Sequence, residues 1–205
     1  MKRCQQYCSI WEVKVGACGA NVLCYNGATC IDTGNGWHTC SCPYGYTGAR
    51  CGIAERVNFA RHPKTTCIAS SRISDDYRCE KTLDGSLQTS WVCNMRTVGQ
   101  WLKVQFSGYI GVDEMKLWDR CHLRDQAKTA KLEFSDNSSF TVYGTCTGIQ
   151  QSIICGYPIS GIDFQPKPMP ITEWIKLTVL QICGSDPNGN FGLHEVEIFG
   201  HFISK

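Results

Sequence analysis

Between Asp84 and Trp91 the chain reads DGSLQTSW, a stretch dense in side-chain oxygen. Asp84-Gly85 starts a tight turn, Ser86, Gln88 and Thr89 supply oxygens, and Trp91 closes it as a large apolar plug. Oxygens packed this closely serve either a hard cation or the turn's own backbone N–H groups. The second chemistry the sequence offers is sulfur. Fifteen cysteines are present, but no CxxC or HxxxH spacing supports zinc, so disulfides are the expected use. Acid–base or nucleophilic catalysis has no comparable signal. GxSxG, HExxH and P-loop patterns are missing, and the five histidines are scattered at 38, 62, 122, 194 and 201. His194-Glu195 falls on an expected strand and needs no catalytic role. The expectation is a non-enzyme.

Composition narrows the class further. The chain has 205 residues, 42% of them hydrophobic and 19% charged, with a net charge of +2. That suffices for one good core plus a small satellite. Charge is near balance and no run of Lys or Arg exceeds two, which argues against an electrostatic grip on nucleic acid. No segment approaches the roughly eighteen apolar residues of a membrane span. The start, MKRCQQYCSI, has no hydrophobic leader core, whereas the cysteines point to an oxidising compartment. A mature or trimmed chain of a secreted protein reconciles the two.

Residues 1–17 carry Cys4 and Cys8 and read as an N-terminal extension. From Cys18 to Cys51 six cysteines (18, 24, 30, 40, 42 and 51) enclose YNGAT and end in CPYGYTGARC. So short a segment cannot bury a stable core, and cross-links must replace it. It resembles an EGF-like module at all six cysteines. The resemblance implies the pairs Cys18–Cys30, Cys24–Cys40 and Cys42–Cys51; spacing alone permits fifteen pairings. Gly45 and Gly48 fit the final turn, where positive φ is cheap for glycine. The approach to Cys18, KVGA, has no carboxylate where calcium-binding members of the resembled family carry one, and Asp32 alone makes a poor cage, so calcium is not expected in this module. Thr29 and Thr47 match the O-fucose and O-GlcNAc acceptor patterns of such modules; the alternative is that both are ordinary turn residues.

Residues 52–60 read as a short linker, and 61–202 as the second module. Short strand patterns recur at 65–70, 100–106, 111–117, 129–134, 140–144, 161–164, 173–180 and 193–199, and helical periodicity is nowhere sustained. In 100–106, Trp101, Val104 and Phe106 are expected on the buried side. Many short strands with turns between them imply an all-β double-sheet sandwich. LDG-x3-T-x-W at 83–91, GQWLKVQF at 99–106, GVDEMKLWDR at 111–120, LEFSDNSSF at 132–140, WIKLTVL at 174–180 and GLHEVEIFG at 192–200 resemble, in the same order, discoidin-like or coagulation factor 5/8 C-type domains. That resemblance implies the galactose-binding jelly-roll fold.

It also implies two sites. In sugar-binding members the Asp84 turn and a glutamate of the last strand, here Glu195, hold a structural calcium ion. Asp84, Ser86, Thr89 and Glu195 could supply its hard oxygens; the alternative is a self-capped turn with Glu195 exposed. The other site is the end of the sandwich where loops 72–78, 92–98, 119–126 and 184–191 should gather. These loops offer Tyr77, Asn94, Arg96, Asp119, Arg120, His122, Arg124, Asp125, Asn188, Asn190 and Phe191, the planar donors, acceptors and aromatic face suited to sugar hydroxyls. Against this, Asp119-Arg120 could be an internal salt bridge and Asn188-Gly189-Asn190 merely a turn. Ile73, Met95 and Val98 are candidates for a membrane-facing rim, but Asp75 and Asp76 would repel anionic lipid.

Nine cysteines remain: 4, 8, 67, 79, 93, 121, 146, 155 and 183. Nine is odd, so at least one is free or paired between chains. Cys79, Cys93, Cys121 and Cys183 fall near the loop end and could staple it; Cys146 and Cys155 could close a local loop. Asn137-Ser138-Ser139 is an N-glycosylation sequon at an expected hairpin tip. The functional expectation is a secreted, calcium-assisted adhesion protein that recognises extracellular glycans or glycoproteins on a matrix or cell surface. The alternative is a structural or adhesive matrix protein without sugar binding, cross-linked by disulfides into an oligomer. A receptor ligand acting through the EGF-like module is the weakest reading.

Overall fold

In the computed structural model the described residues are 24–34, 37–94, 98–120, 126–144, 170–183 and 190–203. The chain divides into two units, Met1–Arg56 and Val57–Lys205. The first has little apolar material to bury. Its buried apolar residues, among those described, are Ala28 and Cys51. Strands β1 (Thr29–Gly34) and β2 (Trp37–Ser41) form an antiparallel hairpin that sets Cys30 opposite Cys40, and β3 (Tyr46–Thr47) pairs with β4 (Ile53–Ala54). Disulfides Cys24–Cys40 and Cys42–Cys51 close the rings, as expected. Cys30 is also in a disulfide; its expected partner Cys18 lies outside the described residues. Gly45 and Gly48 take φ of 86° and 91° in the final turn, the conformation glycine reaches without a Cβ clash. Asn26 Nδ2 donates to the Cys51 carbonyl at 2.7 Å and ties that turn to the first ring.

The second unit starts inside the stretch expected as a linker. β5 (Val57–Asn58) pairs with Gly200 and Phe199 of the closing strand. The Asn58 side chain accepts from Ala60 N, capping a 3₁₀ turn at Phe59–Arg61, and from Ile198 N. β6 (Thr66–Ala69) and β7 (Trp91–Val92) follow, then β8 (Trp101–Asp119), β9 (Ala127–Phe134), β10 (Ser139–Tyr143), β11 (Ile171–Ile182) and β12 (Gly192–Phe202). The strands expected at 100–106 and 111–117 are one strand. Ser107-Gly108 breaks the alternation in the sequence, yet the backbone there turns a corner instead of ending. Before the corner β8 lies between β6 and β11; beyond it β8 pairs with β12, which also pairs with β5 and β7. A single strand thus serves both layers of the sandwich. The expected strand at 161–164 lies outside the described residues.

Period-two alternation decides the faces. Leu102, Val104 and Phe106 point inward, with Ile175, Leu177 and Val179 of β11 and Leu132 and Phe134 of β9 on the same side. Past the corner Met115 and Leu117 of β8 stand beside Ile198 and Val196, their register partners on β12, and all four are buried. Trp101 therefore faces outward. Its expected grouping with Val104 and Phe106 is wrong, because an odd-numbered residue here cannot share a face with even-numbered ones.

Candidate functional site

Both termini of β8 reach the same end of the sandwich. Trp101 pairs with Thr178 near the end of β11, and Asp119 pairs with Leu193 at the start of β12. The expected loops therefore begin and end together, and main-chain hydrogen bonds knit their described parts. Ile73 N donates to Val92 O, Cys93 N to Phe191 O, Cys183 N to Gln126 O and Gly99 N to Val179 O. Ser71 Oγ accepts from Asn94 N and donates to Gln100 Oε1. Gly192 has to be glycine: a Cβ would collide with the Trp91 carbonyl and sit 2.7 Å from Arg120 Cδ.

Trp91 anchors this end from below. It is fully buried, its Nε1 donates to Ser71 O at 2.9 Å, and its ring meets Phe191 edge-on at 5.7 Å. Phe191, expected as an aromatic platform for ligand, is 1% exposed and belongs to the core. The turn residues around it suggested a loop, but its ring is what fills the space beside Trp91. Tyr77 is 37% exposed in a short 3₁₀ turn, and Asn94 is exposed. Ile73 and Val98 are exposed as well, and Arg72 is paired with Asp75 at 2.9 Å. Arg96, His122, Arg124, Asp125 and Asn188 lie outside the described residues; Asn190 is half-buried.

Asp119 carries the unusual electrostatics of the loop end. Ala127 N–H donates to its carboxyl, yet Oδ1 is buried with no hydrogen-bond partner among the described residues. Burial pushes this acid up to about 8, against the pull of the Ala127 N–H. At neutral pH it is largely protonated, so one oxygen can donate while the other accepts. Close by, His194 Nδ1 lies 2.9 Å from Thr89 O, which accepts only, so that nitrogen carries the proton. Burial first, and then the nearby Arg120, lowers His194, while its bond to Thr89 raises it.

The Asp84 turn lies alongside. Asp84 Oδ1 accepts from Ser86 N at 3.0 Å, as in the self-capped reading, and Ser86 Oγ accepts from Gln88 N. Glu195, however, is not exposed. It is 1% accessible, with Oε2 accepting from Gly85 N at 3.2 Å. Its Oε1 has no hydrogen-bond partner among the described residues and lies 3.6 Å from Arg61 Nη2. Burial pushes Glu195 up to about 8 despite Arg61 and the Gly85 N–H, with Asp84 and Glu197 adding to the rise. Thr89 Oγ1 sits among Asp84 Oδ1 and Oδ2 at 2.8 Å, Ser86 O at 3.1 Å and Lys81 O at 3.2 Å. A hydroxyl has one proton to give, so most of these are oxygen–oxygen approaches that no hydrogen bond satisfies. The Thr89 hydroxyl can donate to one of them at a time, and the others stand as close oxygens around it. It is the carbonyl of Ser86, not its hydroxyl, that joins the cluster. Sequence reading missed Lys81 O and Arg61: backbone carbonyls leave no residue-type signal, and Arg61 stands more than twenty residues before the Asp84 turn, just past the stretch read as linker.

Among the other sulfur sites, Cys67 is bonded to Cys79, fastening the 3₁₀ turn Cys79–Thr82 to β6. With Glu80 these sulfurs lie close enough to suggest a metal cluster, but sulfurs joined in a disulfide are not thiolate ligands. Cys183 is in a disulfide and Cys93 is buried. Cys121, Cys146 and Cys155 lie outside the described residues. Thr29 and Thr47 are exposed on β1 and β3. Asn137 is exposed at the tip of the β9–β10 hairpin with φ of 67°.

Comparison with known proteins places both units. Residues 58–199 match a family described as a domain of unknown function, DUF7402, and residues 18–50 match the EGF-like domain. Over 56 residues, 26% of the chain, the sequence is 53% identical to protein jagged-1 of Homo sapiens, and that match spans 5% of the length of jagged-1. Two solved structures resemble the sandwich. One is chitosan-binding module 1 of a chitosanase/glucanase from Paenibacillus sp. IK-5, with TM-score 0.50 and 22% identity, covering 70% of this chain and 99% of that one. The other is CpGH89CBM32-5 from Clostridium perfringens in complex with GalNAc-β-1,3-galactose, with TM-score 0.50 and 12% identity, covering 69% and 99%. At these identities the likeness establishes the fold. An EGF-like domain is followed by a β-sandwich of the discoidin-like, galactose-binding kind. The EGF-like domain indicates an extracellular protein, and no helix among the described residues is long and apolar enough to cross a membrane.

Proposed function

The chain belongs to the DUF7402 family, and we propose that its sandwich is a non-enzymatic glycan-binding module of a secreted adhesion protein. The loop end is the binding surface and the Asp84 turn its cation-supported foundation. The observation that carries this reading is Asp119. A buried carboxyl oxygen without a partner costs about 1–3 kcal/mol, and a donor arriving with a ligand removes that penalty. Sugar hydroxyls donate and accept in pairs, which suits a carboxyl kept protonated at neutral pH. Arg120 follows it in the chain, and Tyr77 and Asn94 are exposed on the loops expected at the same end.

Calcium is the cation the turn fits best. Lys81 O, Asp84, Ser86 O, Thr89 Oγ1 and Glu195 form an all-oxygen set with two carboxylates. When bound, the ion supplies charge that holds the crowded oxygens together. Because the turn continues through Thr89 and Ser90 into Trp91, fixing it fixes the loop floor. Sequon Asn137 and acceptors Thr29 and Thr47 are exposed where modifying enzymes can reach them.

A glycan array run with calcium and again with EDTA tests the proposal. Amino sugars and galactosides head the screen, since the two structural relatives are a chitosan-binding module and a module in complex with GalNAc-β-1,3-galactose. A hit abolished by Asp119→Ala or Arg120→Ala supports the loop end. No hit with folded protein overturns glycan binding and favours a protein-directed adhesive role.

A further inference from the structure

We propose that the outer face of the sheet β6–β8–β11–β9–β10 is a second binding surface, one that takes an acidic polysaccharide. The face lies on the side of the sandwich and involves none of the loops assigned above. Its central feature is a pairing that strand physics disfavours. Lys103 of β8 and Lys176 of β11 stand directly opposite one another in register, and like charges in that position repel. On the other side of Lys103 the register neighbour is Ile68, which is 59% exposed and offers no counter-charge. Lys176 has Glu133 at 3.7 Å, but Glu133 is shared with Lys131 at 3.0 Å. Across these residues three ammonium groups face one carboxylate, so the surface carries net positive charge in a chain otherwise near balance.

Two indoles bracket the lysine pair. Trp174 is in register with Gln105 and Trp101 with Thr178, so they stand on adjacent strands four residues apart, roughly 13 Å along the strand direction. Lys103 Nζ lies 4.3 Å from the Trp174 ring centroid and Lys176 Nζ 5.3 Å from that of Trp101. The lysines are thus held apart by lying over opposite tryptophans. The result is a strip with an indole at each end, each beneath a lysine ammonium, and with one carboxylate shared between Lys131 and Lys176. An extended chain of sugar rings bearing carboxylate or sulfate matches it, with rings against indole and acid groups between the lysines. A neutral glycan would leave the lysine repulsion in place, so the charge selects the acidic class.

Affinity electrophoresis of the full chain tests this against polygalacturonate, heparin, neutral galactan and linear polyphosphate. Retardation by polygalacturonate identifies a uronate ligand and retardation by heparin a sulfated one; either supports the surface. The variant Lys103→Gln/Lys176→Gln should weaken that binding by about tenfold or more with its melting temperature retained, and leave any neutral-glycan binding at the loop end unchanged. Trp174→Phe should weaken acidic-glycan binding to a lesser degree. Retardation by neither acidic glycan, undiminished binding by the double variant, or equal retardation by polyphosphate overturns the proposal. A failed neutral-glycan array together with retained polygalacturonate binding would sink the loop-end reading alone.

Discussion

The two units are held by different means, and the contrast assigns their roles. In the EGF-like unit, disulfides Cys24–Cys40 and Cys42–Cys51 close small rings around almost no buried apolar surface. Its exposed side chains include Trp37, Ile31 and Ile53. In the sandwich, two layers bury Phe59, Trp91, Phe134, Phe191 and a run of aliphatic residues, and Cys67–Cys79 merely fastens one short turn. Cross-links act mainly by restricting the unfolded chain, whereas a packed core also fixes side chains in one arrangement. A surface that must place buried carboxyls at the angstrom level belongs on the second kind of frame. Asp119, Glu195 and the Trp91 floor are all found there.

The largest test of that contrast is Trp91→Ala. Removing a fully buried indole should cost about 3–5 kcal/mol and also strand the Ser71 carbonyl that it caps. Chemical denaturation followed by two-dimensional NMR should show early melting of sandwich resonances while those of residues 24–56 persist. The reverse partition is expected of Cys42→Ser with Cys51→Ser, where loss of about 2–5 kcal/mol should fall on the EGF-like unit. Limited proteolysis would then cut within residues 24–56 and leave a stable fragment beginning near Val57. Sandwich melting brought on by the cysteine changes would show that the two units do not stand independently.

How much of this was legible in the sequence depended on whether the signal was local. The alternation in 129–134 and 173–180 stated its structure outright, because period is a local property, whereas the pairing of the six EGF cysteines came from the resemblance, since spacing alone left fifteen pairings open. The corner in β8 was not legible. Gly108 reads as a break, and only the pairing partners on β11 and β12 show that the chain turns and continues. Glu195 could be placed through its likeness to a closing strand, but its burial depends on Arg61 and Gly85 meeting over it from distant parts of the chain. Phe191 failed for the same reason: an aromatic residue after Asn188-Gly189-Asn190 looks like a loop tip until Trp91 is placed beside it.

The proposed cation site lies in the sandwich, so calcium is expected to act on one unit alone, which sharpens the comparison further. With free ion at 100-fold its Kd, linkage predicts about 2.7 kcal/mol of added stability. The sandwich transition should therefore rise with calcium and fall back with EDTA, while the EGF-like unit is unmoved. Glu195→Gln should abolish the shift. A calcium-induced rise that survives Glu195→Gln, or that appears in residues 24–56, would place the ion elsewhere.

The pH dependence without metal completes the comparison, and its sign follows from the same carboxyls. Glu195 and Asp119 are both raised to about 8 in the folded protein, well above their ordinary values of 4.5 and 3.8. A raised acid favours the protonated fold, so its contribution is complete below the ordinary value and is lost as pH climbs to about 8. In EDTA the sandwich should thus lose melting temperature between pH 5 and 8, on the order of 2–4 °C for each kcal/mol involved. Glu133, held below its ordinary value chiefly by its hydrogen bond to Lys131, works the other way but only at more acid pH. Glu195→Gln keeps a neutral group in place and should flatten the Glu195 share of the decline. Calcium needs the ionised carboxylate, so its binding releases a proton and its affinity climbs over the same interval in which the metal-free fold weakens. Melting curves in calcium and in EDTA should therefore diverge as pH rises toward 8. Parallel curves would mean that Glu195 is not a ligand.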